Sequence, residues 1–101
     1  MQKPSIGRIV LYTLSEQDAT AIAAKRGTPQ IGSGNAVNAG DVYPAVVVRV
    51  WDIEGAVTSC NLQVLLDGPD SFWALSRFQF GSQKEIQNPT RHGTWDWPIR
   101  E

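Results

Sequence analysis

This 101-residue chain has one cysteine and one histidine. Cys60 has no partner for an intramolecular disulfide and reads as a small buried thiol of a reducing compartment. His92 has no second histidine or cysteine beside which to build a metal set, so a zinc site would rest on carboxylates alone. No apolar run approaches the ~20 residues that a membrane-crossing helix requires. The opening MQKPSIGR has no hydrophobic segment behind its charges and does not read as a signal peptide. An excess of one charge is missing too: nine Lys and Arg stand against ten Asp and Glu, for a net charge of −1. A non-specific nucleic-acid binder normally carries a large positive excess, so that class is demoted. These absences point to a cytosolic protein with no cofactor, no metal, no membrane and no nucleic-acid polymer among its expected partners.

What is present is a series of short strands. Residues 5–14, SIGRIVLYTL, are rich in β-branched and aromatic side chains, with Ile6, Arg8, Val10 and Tyr12 on one face. Residues 15–27, SEQDATAIAAKRG, read as a short helix. Ser15 and Asp18 form a capping box, Glu16 and Asp18 suit the positive end of the dipole, and Lys25 and Arg26 suit the other. Gly27 stops the helix, and its stripe of Ala19, Ile22 and Ala23 is thin. Residues 28–40, with Gly32, Gly34 and Gly40, are a surface loop; its GSG lacks the strand, helix and GK[ST] of a phosphate cradle. Residues 40–52 give the strongest strand signal, with Pro44 expected at an edge or at the strand start. Residues 58–68 and 71–80 continue the meander around a turn at 67–70, and TWDWP makes a last short strand.

Strands at this spacing predict a mainly β fold: a small SH3-like barrel or rolled antiparallel sheet, with one short helix inserted after the first strand. A small open β-sandwich is the alternative. One domain is expected to span residues 1–101. At this length the core is thin and association is favoured, so a homo-oligomer is expected.

Catalysis has little support. Asp67 and Asp70 flank a turn, where turn formation accounts for them, and His92 reads as an exposed loop residue. A hydrolase built from His92 with Asp67 or Asp70 is the enzymatic alternative. The more informative residues are the polar and aromatic ones within strands. Arg8, Arg49, Trp51, Asn61, Gln63, Trp95 and Trp97 suit a small anionic ligand if they converge: guanidinium for phosphate, amide for a polar edge, indole for stacking. The competing reading has these faces meeting water. For Trp95 and Trp97, which share a face at period 2, it has a closing strand or a subunit contact instead.

Four stretches, PSIGRIVLYTLSEQDA (4–19), AGDVYPAVVVRVW (39–51), NLQVLLDGPDSFW (61–73) and GTWDWP (93–98), resemble a set of small uncharacterised phage and prophage proteins. Those begin SIGRIVHYTL, carry a VRVW strand and a QVxLDGxDxxW segment, and end near GxWHWP. Leu11 and Asp96 stand where the resembling proteins often have histidine, which favours a binder over an enzyme. The resemblance implies a phage accessory protein of the host cytoplasm. By analogy it points to sequestration of a nucleotide-derived signal of bacterial immunity. The alternative is an SH3-like interaction module that grips a host or virion protein.

Overall fold

The computed structural model describes residues 3–27, 34–51, 59–81 and 90–98. The turn expected at IEGA, the first half of the glycine-rich loop and residues 82–89 lie outside them. Five strands and one helix follow in the order β1 (Ile9–Thr13), α1 (Glu16–Arg26), β2 (Val42–Trp51), β3 (Ser59–Leu65), β4 (Ser71–Phe78) and β5 (Trp95–Asp96). They form one antiparallel sheet with the strand order β4-β3-β2-β1-β5. The sheet curls into a half-barrel, the small rolled sheet of SH3-like form expected from the meander.

Alternation decides which face is core. Val10 and Tyr12 of β1, Ala45 and Val47 of β2, Leu62 and Val64 of β3 and Ala74 of β4 all point inward and are fully buried. Cys60 joins them as a buried thiol. Trp95 closes the roll: the chain after β4 turns back onto β5, where Phe80 N–H donates to the Trp95 carbonyl at 2.9 Å. The Trp95 indole N–H donates to the Arg77 carbonyl at 3.1 Å, and a bridge joins Gln79 to Trp95. The late tryptophan therefore seals the end of a thin core, and the tail containing it is a strand.

Helix α1 begins as its local sequence dictates. The Ser15 hydroxyl accepts from Asp18 N–H, and the Asp18 carboxylate accepts from Ser15 N–H, a complete capping box. Of the expected stripe only Ile22 is buried; Ala19 is half-buried and Ala23 exposed. The helix is held instead by Asp18, which accepts from the Tyr12 hydroxyl on β1 and from Arg77 on β4. Pro44 lies in the interior of the sheet order, against Leu11 of β1. Contrary to the expectation, Pro44 is neither on an edge strand nor at the start of β2, but the β3 ladder begins only at Ala45, so it leaves no β3 bond unmade.

Two bulges shape the sheet. Between Val47 and Arg49 the β2–β3 register shifts by one residue, and between Cys60 and Leu62 the β3–β4 register shifts as well. Asn61 sits between them, with Ser76 at φ 53 in the β4 bulge. The Asn61 carbonyl oxygen accepts from Ser76 N–H at 2.9 Å and from the Trp51 indole N–H at 3.0 Å. One buried amide thus satisfies donors on both sides of β3 where the ladder is broken.

Candidate functional site

Six of the seven residues singled out in the sequence fall into two groups. In the first, the Arg8 guanidinium lies 4.7 Å from the Trp97 ring centroid. Trp97 in turn meets Trp95 edge-on, with centroids 5.5 Å apart. Trp95 is core, and Trp97 packs against the core half-buried, its indole N–H buried without a partner among the described residues. In the second group, Arg49 lies 4.0 Å from the Trp51 centroid, and Trp51 is bonded to Asn61. Gln63 stands apart from both and accepts from the Ser71 hydroxyl at 3.2 Å.

The two groups occupy opposite faces. Val47 N–H donates to the Arg8 carbonyl and Gly7 N–H to the Val47 carbonyl, so Arg8 continues the β1 ladder opposite Val47. By alternation Arg8 shares the inner face with Val10. Simple alternation along β2 would put Arg49 inside with Val47, beside Arg8. The extra residue at Val48 flips it: Arg49 pairs with Asn61, whose neighbours Cys60 and Leu62 point inward, so Arg49 and Trp51 face outward. Arg8 and Arg49 therefore do not share a cavity.

The outer face is the unusual surface. The register aligns Ile9, Val46, Gln63 and Trp73 in one row across β1, β2, β3 and β4. Trp73 is 55% exposed, Leu75 50%, Ile9 47%, Leu65 44% and Val48 40%. Apolar side chains grouped in this way mark interaction surfaces more than isolated exposed ones do. The row ends at β4, an edge strand that pairs only with β3 over Ser71 to Ala74. Sequence reading missed this site. Its signal was present in Trp73 and Leu75, two positions apart, but their facing depends on which side of the sheet the core occupies.

Beside β5 lies a shallow pocket of about 280 Å³ lined by residues including Leu11, Thr13, Val42, Arg91 and Asp96. Arg91 pairs with Asp96 Oδ2 at 3.2 Å, while Asp96 Oδ1 accepts from Gln79 and from Trp97 N–H. The carboxylates weighed for catalysis do structural work elsewhere. Arg26 donates to both oxygens of Asp70 and to the Asn35 carbonyl. The Asn35 amide donates to Asp67 at 2.7 Å, which clasps the loop after α1 to the β3–β4 turn. The Arg26 hydrogen bonds hold the Asp70 carboxyl below its ordinary range. His92 is exposed. Among the described residues no group of three His, Cys, Asp or Glu is placed to hold a metal ion, and no helix is long and apolar enough to cross a membrane.

No protein-family model, curated protein or solved structure matches this chain.

Proposed function

We propose that this chain is a protein-interaction module that receives an extended polypeptide strand along β4, with the outer face of the sheet as the adjoining surface. The observation that carries this reading is the set of exposed apolar side chains on the outer face, with Trp73 and Leu75 on the open edge strand itself. Such an edge offers alternating backbone donors and acceptors, which only another extended chain satisfies along its length. Residues 71–76, SFWALS, carry no charge, so the strand they receive is itself apolar and uncharged where it meets Trp73 and Leu75. In the phage setting that the resemblance implies, the partner is a host or virion protein, or a second copy of the chain.

Tagged wild-type chain and Trp73→Lys, compared at equal thermal stability, test the reading by capture from host lysate. Recovery of one partner at fixed stoichiometry by the wild type, lost in Trp73→Lys and kept in Arg91→Gln, supports it. Capture indifferent to Trp73→Lys overturns it.

The β5 pocket favours a second reading, binding of a small anionic ligand such as a nucleotide-derived signal. At this volume, near the ~300 Å³ lower end of ligand pockets, it takes one base or one phosphate-bearing group and not a whole dinucleotide. Arg91 is its cation. An incoming phosphate displaces Asp96 from Arg91, an exchange of exposed ion pairs that costs only about 0.2–1 kcal/mol. Asp96→Asn frees Arg91 and keeps Oδ1 for its two other bonds. This variant is expected to bind nucleotides more tightly than wild type in a calorimetric titration with cyclic dinucleotides and cyclic ADP-ribose isomers. Absence of heat from both proteins removes the reading.

A further inference from the structure

We propose that Asp67–Gly68 is a site of backbone isomerisation to isoaspartate, and that the Asn35 clasp is the brake on it. The inference concerns covalent modification of the chain and does not depend on its partner.

The sequence names the bond. Aspartate followed by glycine occurs once in the chain, and asparagine followed by glycine does not occur. In the reaction the Gly68 backbone nitrogen gives up its proton and attacks Asp67 Cγ. An N–Cγ bond forms, the Cγ–OH bond of the carboxyl group breaks, and the hydroxyl leaves with a proton as water. Water then opens the cyclic imide. Cleaving the N–Cγ bond restores aspartate; cleaving the bond from nitrogen to the Asp67 carbonyl carbon leaves Cβ and Cγ in the backbone as isoaspartate. Nothing is oxidised or reduced, and the mass is unchanged. Glycine favours the attack because no Cβ stands beside its nitrogen. The other aspartates precede Ala19, Val42, Ile53, Ser71 and Trp97, whose side chains crowd the approach. Asp67 and Gly68 are both exposed, and with Gly34, Asn35 and Pro69 they line a shallow pocket of about 280 Å³, so water reaches the imide.

The fold opposes ring closure at each group that takes part. Asn35 Nδ2 donates to Asp67 Oδ2 at 2.7 Å and holds the carboxylate against the loop after α1. Asn35 N–H donates to the Asp67 carbonyl at 2.8 Å, and Gly68 N–H donates to the Leu66 carbonyl at 2.8 Å. The peptide plane between the two residues is thereby pinned at both its polar atoms. Closure takes the proton from Gly68 and swings Cγ over that plane, which breaks the bonds to Leu66 and to the Asn35 amide. Asn35 supplies two of the three restraints.

The modification changes the fold where it occurs. Isoaspartate lengthens the turn by one backbone atom and moves the carboxylate onto Cα. Gly68 sits so close to Gly34 that an added Cβ would lie 2.7 Å from the Gly34 Cα. The clasp therefore does not re-form around the longer turn, which leads into β4 at Ser71.

Timed incubation of the full-length chain at neutral pH, followed by digestion and mass spectrometry, tests the proposal. Isoaspartate at position 67 is read as a peptide of unchanged mass and shifted retention, uncut there by a protease that cleaves before aspartate. The urea-unfolded chain is expected to accumulate it, and the native chain to do so about tenfold more slowly or less. Native Asn35→Ala is expected to run about threefold to tenfold faster than native wild type, the rate equivalent of one lost hydrogen bond. Tyr12→Phe loses its bond to Asp18 and none at the turn, so it controls for general loosening and is expected to keep the wild-type rate. Absence of isoaspartate at position 67 in the unfolded chain overturns the site. A native rate equal to the unfolded one overturns the brake, as does an Asn35→Ala rate equal to that of wild type or matched by Tyr12→Phe.

Discussion

Asp18→Asn is expected to be the most damaging conservative change among the polar residues. The Asp18 carboxylate is 2% exposed and has no spare oxygen. Oδ2 accepts from the Tyr12 hydroxyl and from Ser15 N–H, and Oδ1 accepts from Arg77. An asparagine amide presents an NH₂ group to one side or the other. With nitrogen at the Oδ2 position it faces the Ser15 donor and forces the Tyr12 hydroxyl to turn; at the Oδ1 position it faces the Arg77 guanidinium. Either choice leaves a buried donor unsatisfied, at about 1–3 kcal/mol. Arg77 also loses its counter-charge. A fully buried pair broken in this way costs about 3–5 kcal/mol, and the 32% exposure of the Arg77 side chain lowers that share. The two effects overlap, and about 3 kcal/mol is the expected total. At roughly 4–8 °C per kcal/mol for a domain of this size, the melting temperature falls by about 12–24 °C. Urea unfolding followed by tryptophan fluorescence measures the loss. Tyr12→Phe removes one hydrogen bond and no charge, so it is expected to cost less, about 1–2 kcal/mol. An Asp18→Asn protein within about 1 kcal/mol of wild type, the worth of one hydrogen bond, refutes the anchoring of α1 to the sheet through this carboxylate.

Three further outcomes follow from the same reasoning. A Cβ at Gly68 would lie 2.7 Å from the Gly34 Cα and press on Arg26 and Asp70. Gly68→Ala is therefore expected to open the clasp and cost about 1–3 kcal/mol in a urea titration, and an unchanged midpoint contradicts the close approach. Burial pushes the Cys60 thiol up to about 11, so iodoacetamide at neutral pH is expected to label it only after unfolding; prompt labelling of the native chain contradicts its burial. The folded Asp70 lies below its unfolded value because of Arg26. Its contribution is complete above the ordinary carboxylate range and is lost as pH falls through the lowered folded value. The stability difference between wild type and Asp70→Asn is therefore expected to shrink on acidification, and a constant difference counts against the clasp.

What could be read from the sequence was local or periodic. The Ser15–Asp18 capping box is a three-residue relation, and it stands as written in the chain. Trp95 and Trp97 share a face because period 2 is reliable over so short a span, and their rings are in contact. The rolled sheet followed from strand spacing. The candidate site depended on register, which local pattern does not carry. One extra residue at Val48 turns Arg49 and Trp51 to the face opposite Arg8, and nothing in VVVRVW announces a bulge. The role of Asn61 was hidden for the same reason, since it exists only where two bulges flank one residue. Arg26 and Asp70 meet across 44 positions, a distance over which a sequence pattern says nothing. The open β4 edge became visible only once strand order was known.

The central claim is that the outer face and the β4 edge are the working surface of this protein. Hydroxyl-radical footprinting tests it most directly, applied to the chain in dilute solution, in concentrated solution and in extract of the cells that produce it. The account predicts that oxidation of Trp73 and Leu75 falls in concentrated solution or in extract, while the half-buried Trp97 changes little. Unchanged oxidation of Trp73 and Leu75 under all three conditions, with protection appearing around Arg91 and Leu11 instead, would contradict it.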